Sequence, residues 1–171
     1  TILSLMLSSL AMGTIITMSS THWLMAWIGL ELNTLSIIPI ITKHHYPRST
    51  EATTKYFLTQ AAASAMLLFA STTNAWYTGT WDISQLTSQP SCVMLTMALS
   101  MKLGLAPLHF WLPEVLQGTS LSTALIITTW QKLAPMALMF LTFNSLNTSI
   151  LLTLGLLSAL VGGWGGLNQT Q

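Results

Sequence analysis

The run Ser100–Gly118, SMKLGLAPLHFWLPEVLQG, decides the fold. It opens inside an apolar stretch and places a lysine, Lys102, where a membrane segment ordinarily tolerates none. Pro107 and Pro113 follow, with His109 between them and Glu114 directly after. Proline removes a backbone donor and clashes with the preceding turn, so a helix through this run breaks or kinks. A charged, broken helix persists in an apolar protein where it lines a cavity or is buried against other helices.

The rest of the chain fits that reading. Of 171 residues, five are Lys or Arg and four are Asp or Glu, while 51% are hydrophobic. A soluble domain carries roughly 25% charged residues, so this chain cannot cover a water-facing surface. It reads as an all-α, polytopic transmembrane bundle. A net charge of +1 gives no footing for nucleic acid. The single cysteine, Cys92, allows no internal disulfide or cysteine metal cluster and reads as a small packing residue. No GxGxxG, P-loop, CxxC or nucleophile triad is present. The chain therefore has no motif to hold a nicotinamide, a flavin, an iron–sulfur cluster or a metal. The first segment lacks the basic flank and cleavage pattern of a signal peptide and reads as a span. The chain starts at Thr1 within an apolar segment and stops at GGLNQTQ, which leads us to expect a piece of a longer protein.

A span needs about 20 apolar residues at about 1.5 Å per residue. The spans expected are Ile2–Ser20, Trp23–Thr42 with Pro39 near its end, and a third helix capped by Ser49 and running to about Ala75. The fourth is the broken element from Cys92 to Gly118. Leu121–Leu141 is the fifth and Thr148–Trp164 the sixth. The third helix should carry Glu51 in its first turn and an i,i+4 pair from Glu51 to Lys55. Its Ala61–Ala65 stretch permits close approach of a neighbour. The GGWGG run after the sixth span reads as flexible or closely packed, with the polar tetrad Asn168–Gln171 beyond it. Lys43, Arg48 and Lys55 place the second connection on the inner face by the positive-inside rule. Asp82 falls in a solvated outer loop. His22 and the His44–His45 pair fall at segment ends.

Four charges belong to no loop: Glu31, Lys102, Glu114 and Lys132. Counting residues from each helix start puts Glu31 about 12 Å, Lys102 about 15 Å and Lys132 about 16 Å deep, near the middle of a layer roughly 30 Å thick. A row of charges at one depth suggests a proton relay in the plane of the membrane. Burial disfavours a lysine's charged form and a nearby carboxylate favours it, so a moving Glu31 would make Lys102 bind or release a proton. The plainer alternative is a static buried ion pair that fixes helix packing. His109 is either a proton carrier or a packed, hydrogen-bonded residue. Glu114 is either part of the path or a carboxylate at a helix N-terminus on the inner face.

The motifs WIGLELNTLSIIP, EATTKYFLTQAAAS, NAWYTGTWDI, MKLGLAPLHFWLPEV, TTWQKLAP and GGWGGLNQTQ closely resemble the subunit 2 family of vertebrate mitochondrial NADH:ubiquinone oxidoreductase, respiratory complex I. The match is collinear over essentially the whole chain. The resemblance implies an antiporter-like subunit of the membrane arm, in the mitochondrial inner membrane, that takes part in proton translocation. Glu31 matches the family's membrane glutamate, Lys102 the lysine of its broken helix and Lys132 its bridging lysine. His109 and Glu114 match parts of the break motif. The implied partners are other membrane-arm subunits and the lipid bilayer, with no small-molecule substrate bound directly. NADH, flavin, iron–sulfur and ubiquinone sites are implied to belong to other subunits. The family fold contains inverted repeats of five helices. Residues 1–141 would form the first repeat and residues 142–171 the start of the second. An independent cation/proton antiporter of related fold and a non-transporting scaffold are the rival readings.

Overall fold

The computed structural model describes residues 1–170 and leaves the His44 side chain and Gln171 outside the description. The order is α1 (Ile2–Ser19), α2 (Trp23–Ile41), a 3-10 turn (Thr42–His44), α3 (Pro47–Thr78), α4 (Gln89–Leu103), α5 (Trp111–Gly118), α6 (Leu121–Leu141) and α7 (Thr148–Leu167). The described residues form no β-strand beyond one isolated bridge, His22 to Asp82.

Four helices, α1, α2, α6 and α7, are long and apolar enough to cross a membrane unaided. Helix α3 has 32 residues, about 48 Å of rise, but is diluted with Ser, Thr, Gln and Asn. The broken pair divides its length between α4 and α5. One face of each of these elements packs inward. Ala63, Leu67, Ala70, Ala98 and Leu99 on α3 and α4 are fully enclosed, and α3 lies along both halves of the broken helix.

The sequence placed the start of α3 at a Ser49 cap, and the structure corrects this. Tyr46 is the cap residue and Pro47 takes the first helical position, where its missing N–H is not needed and its fixed φ suits the helix. Ser49 sits in the first turn and its hydroxyl donates back to the Tyr46 carbonyl (2.8 Å). Glu51 therefore falls beyond the first turn. Helix α4 likewise starts at Gln89 rather than Cys92, with Pro90 in its first two positions. The GGWGG run is helical and continues α7, with open space around Gly162, Gly163, Gly165 and Gly166 among the described residues.

Two apolar cores stack along the bundle. The first gathers Trp23 and Leu30 of α2, Leu67 of α3, Leu95 and Leu99 of α4 and Leu138 of α6, closed by Ile83 and Leu86 from the outer loop. The second gathers Leu10 of α1, Ile37 of α2, Tyr56 of α3, Trp111 and Val115 of α5 and Ile127 of α6. The outer loop is pinned over the first core: the Trp23 and Ile83 amides donate to the Trp81 and Thr21 carbonyls (3.1 and 3.0 Å). His22 accepts from the Leu24 amide through Nδ1 (3.2 Å) and stacks on Trp81. Asp82 is exposed, as a solvated loop residue should be.

Helices α1 and α2 meet glycine to glycine. A methyl group at Gly29 would lie 2.9 Å from the Gly13 carbonyl oxygen and 2.5 Å from the Thr17 methyl. Backbone carbonyls cannot swing aside, so Gly29→Val should force the helices apart and cost about 1–3 kcal/mol. The expected readout is a lower thermal unfolding midpoint of the purified membrane assembly.

Candidate functional site

The break around Lys102 is built locally. Gly104 ends α4 with φ of 71°, a left-handed conformation that glycine adopts without a Cβ clash. Its amide and that of Leu105 donate to the Met101 and Ser100 carbonyls (3.2 and 3.0 Å). Residues 104–110 then cross as turns before α5 begins at Trp111. Pro107 lies inside this crossing, after a cis peptide bond. Pro113 lies in the first turn of α5, where no intrahelical N–H bond is lost. The Trp111 indole N–H donates to the Met101 carbonyl (3.0 Å), tying the second half of the break to the last turn of the first half. Trp111 also meets Tyr56 edge to face, with ring centroids 5.8 Å apart.

Lys102 thus occupies the penultimate position of α4 and is 5% exposed. Its ammonium group has no hydrogen-bond or ion-pair partner among the described residues. It faces a small cavity of about 10 Å³, at the lower limit for one water molecule. Leu30, Asn33 and Thr34 of α2, Tyr56 and Gln60 of α3, Trp111 of α5, and Ile127, Gln131 and Pro135 of α6 complete its lining. Five elements converge there. The cavity also sits where the two apolar cores meet, since Leu30 belongs to one and Tyr56, Trp111 and Ile127 belong to the other.

Glu31 stands beside this cavity. Its carboxylate accepts from the Thr34 hydroxyl (3.0 Å), which itself lines the space. Glu31 lies within electrostatic range of both Lys102 and Tyr56 without forming a direct ion pair.

Lys132 does not line the cavity. The side chain that does is its neighbour Gln131, about 100° around the helix. Gln131 bridges two helices: its amide donates to the Asn33 carbonyl (3.1 Å) and its carbonyl oxygen accepts from the Tyr56 hydroxyl (3.4 Å). Lys132 is half-buried and makes no ion pair. Of the three charges expected in a row, only Lys102 lines the cavity; Glu31 reaches it through the Thr34 hydroxyl it accepts from, and Lys132 lies on an adjacent face of α6.

His109 lies within the break, half-buried, with its ring stacked on Phe110 and a buried Nδ1 that has no partner. Glu114 lies elsewhere. It is exposed at the inner end and pairs with Lys55 (2.8 Å), which also holds Glu51 (2.8 Å). One lysine on α3 therefore clasps α5. The sequence reading found the Glu51–Lys55 pair and missed its third member, since Lys55 and Glu114 are far apart in the chain. It also missed Asn33, Gln60 and Gln131. Their signal was present: amide side chains within apolar helices call for a partner in the same way as charges do. His45 is exposed, and the His44 side chain lies outside the described residues. Among the described residues no three His, Cys, Asp or Glu side chains stand together as a metal-binding group.

Comparison with known proteins bears on this geometry. A family model described as NADH:quinone oxidoreductase/Mrp antiporter, TM, matches residues 20–171. NADH-ubiquinone oxidoreductase chain 2 of Oncorhynchus mykiss is 63% identical over 170 residues, covering 99% of this chain and 49% of that protein. Its counterpart in Xenopus laevis is 64% identical over 168 residues, covering 98% and 49%. A solved chain of respiratory complex I from Thermus thermophilus with bound aureothin superposes with a TM-score of 0.90 at 28% identity, covering 98% of this chain and 40% of that one. The chain spans about half the length of the curated relatives it matches. By the extent of the family match and by its all-helical, broken-helix fold, this chain belongs to the NADH:quinone oxidoreductase/Mrp antiporter family of membrane proteins.

Proposed function

We propose that the chain is part of a membrane-arm subunit of respiratory complex I in the mitochondrial inner membrane, and that it carries protons through Lys102 under the control of Glu31. The observation that carries this reading is the buried Lys102 ammonium, unpaired among the described residues at a small cavity, while the Glu31 carboxylate nearby is bonded to the Thr34 hydroxyl of its own helix. A static ion pair would have closed the gap. An amine held short of its counter-ion binds or releases a proton when the carboxylate approaches or withdraws. Lys132 is the next carrier along α6, reached across Gln131. The break supplies backbone groups that hydrate the passage at His109. Glu114, clasped by Lys55 at the inner surface, holds α5 in register.

NADH oxidation and quinone reduction take place on other subunits, whose energy arrives here as a change in the Glu31–Lys102 separation. Residues 1–141 form the first five-element repeat, α1 to α6 with α4 and α5 as one broken element. Residues 142–171 begin the second. The loose seating of α7 supports this division, since only Leu154 of that helix is buried. The family description also names an Mrp antiporter, which favours an independent cation/proton antiporter as the second reading. Copurification of the full-length chain with NADH dehydrogenase activity distinguishes the two, because an independent antiporter would purify without it.

Removing Lys102 deletes an uncompensated charge from an apolar interior. Lys102→Ala should therefore leave assembly intact while proton-coupled turnover falls by about 10²-fold, the scale for loss of a proton-transfer group. Normal pumping in reconstituted vesicles would overturn the assignment. Glu31→Asp should be milder than Glu31→Gln in the same assay, because the first keeps the charge that biases Lys102. Trp111→Phe removes the bond to the Met101 carbonyl, worth about 1 kcal/mol. It should slow pumping several-fold without loss of the complex on a native gel.

A further inference from the structure

An open groove of about 730 Å³ lies between α1, the end of α2, the start of α3 and the α5–α6 turn. Its walls change character with depth. Leu7 and Ile126, each about 8 Å into its helix, form an apolar interior, and Leu3 lies one turn nearer the surface. Leu3 and Leu7 keep 44% and 43% of their surface exposed, so α1 leaves this face uncovered. At the mouth stand Lys43 and Arg48, beside the Ser120 hydroxyl.

The charge balance at the mouth is specific. Both carboxylates at this end of the bundle, Glu51 and Glu114, are taken by Lys55. Lys43 and Arg48 are exposed and neither forms an ion pair among the described residues. Three cations, Lys43, Arg48 and Lys55, meet two carboxylates, Glu51 and Glu114, at this end, and the surplus positive charge lies at the groove mouth, where Lys43 and Arg48 stand and neither carboxylate does; an apolar groove with that mouth is complementary to a molecule with acyl chains and a negative headgroup. A free anion would have no use for Leu7 and Ile126. A zwitterionic lipid would present an ammonium group to two cations.

We propose that this groove binds an anionic phospholipid, its phosphate between Lys43 and Arg48 and an acyl chain along Leu7 and Ile126. The site is separate from the Lys102 cavity and shares no lining residue with it.

The test uses the full-length chain in its intact membrane assembly, delipidated in mild detergent and titrated with phosphatidylglycerol or phosphatidylcholine. Bound lipid is counted by native mass spectrometry. Phosphatidylglycerol should bind preferentially. Lys43→Gln with Arg48→Gln should weaken it about 30-fold, from about fivefold per surface cation, while Lys43→Arg with Arg48→Lys should keep it. The substituted residues are exposed, so the fold is preserved. Ile126→Trp, which fills the groove, should remove the bound lipid. Equal binding of the two lipids, or an unchanged affinity in the double glutamine variant, would overturn the proposal. So would equal competition by inorganic phosphate, which would mark a free-anion site. A protein segment crosslinked to a photoreactive group at Leu7 would overturn it as well, by naming a different occupant.

Discussion

An amine enclosed among apolar helices must be solvated by something, and the rest of this fold follows from that requirement. Lys102 is inside the bundle, its charge costs a few kcal/mol there, and no side chain among the described residues pairs with it. The structure meets the demand by ending α4 one residue later. Gly104 turns the chain out of the helix, and side chains of four other elements enclose one small space beside Lys102. The last carbonyls of α4 are taken by the Gly104 and Leu105 amides and the Trp111 indole. Trp111 then keeps the two halves in register through the Met101 carbonyl.

The two apolar cores make the site possible by leaving it between them. Each packs large side chains to full burial, Trp23 and Leu67 on one side and Tyr56 and Val115 on the other. The seam between cores is where amide and hydroxyl groups collect. Gln131 spans it, bonded to α2 and to α3. The close glycine contact between α1 and α2 fixes one wall of this arrangement, because Asn33 packs over Gly13 and also lines the cavity. At the inner end the Lys55 clasp joins α3 to α5 with exposed ion pairs. Such pairs contribute little stability singly, about 0–1 kcal/mol, but they orient the short helix that follows the break.

Composition alone was enough to read the chain as a helical membrane bundle, because so few charges cannot solvate a globular surface. The span boundaries were legible to within a few residues for α1, α2 and α6, whose apolar runs end at clear polar turns. The start of α3 was misread because Ser49 is a good cap in isolation, and Pro47 two residues earlier is a better first residue. Helix α3 was expected from the sequence to end near Ala75, and it runs on to Thr78.

For the site, the sequence by itself singled out Glu31, Lys102 and Lys132 as charges that residue counting places near the middle of their spans. It also determined that a break follows Lys102, since glycine and proline act through local backbone geometry. Which of these residues face one another was decided only by the tertiary structure. Equal depth in three helices does not fix rotation about each helix axis, and one residue of rotation is about 100°. That single step puts Gln131 in the cavity and Lys132 beside it. It also separates Glu114, which pairs with Lys55 at the surface, from His109, which stays inside the break.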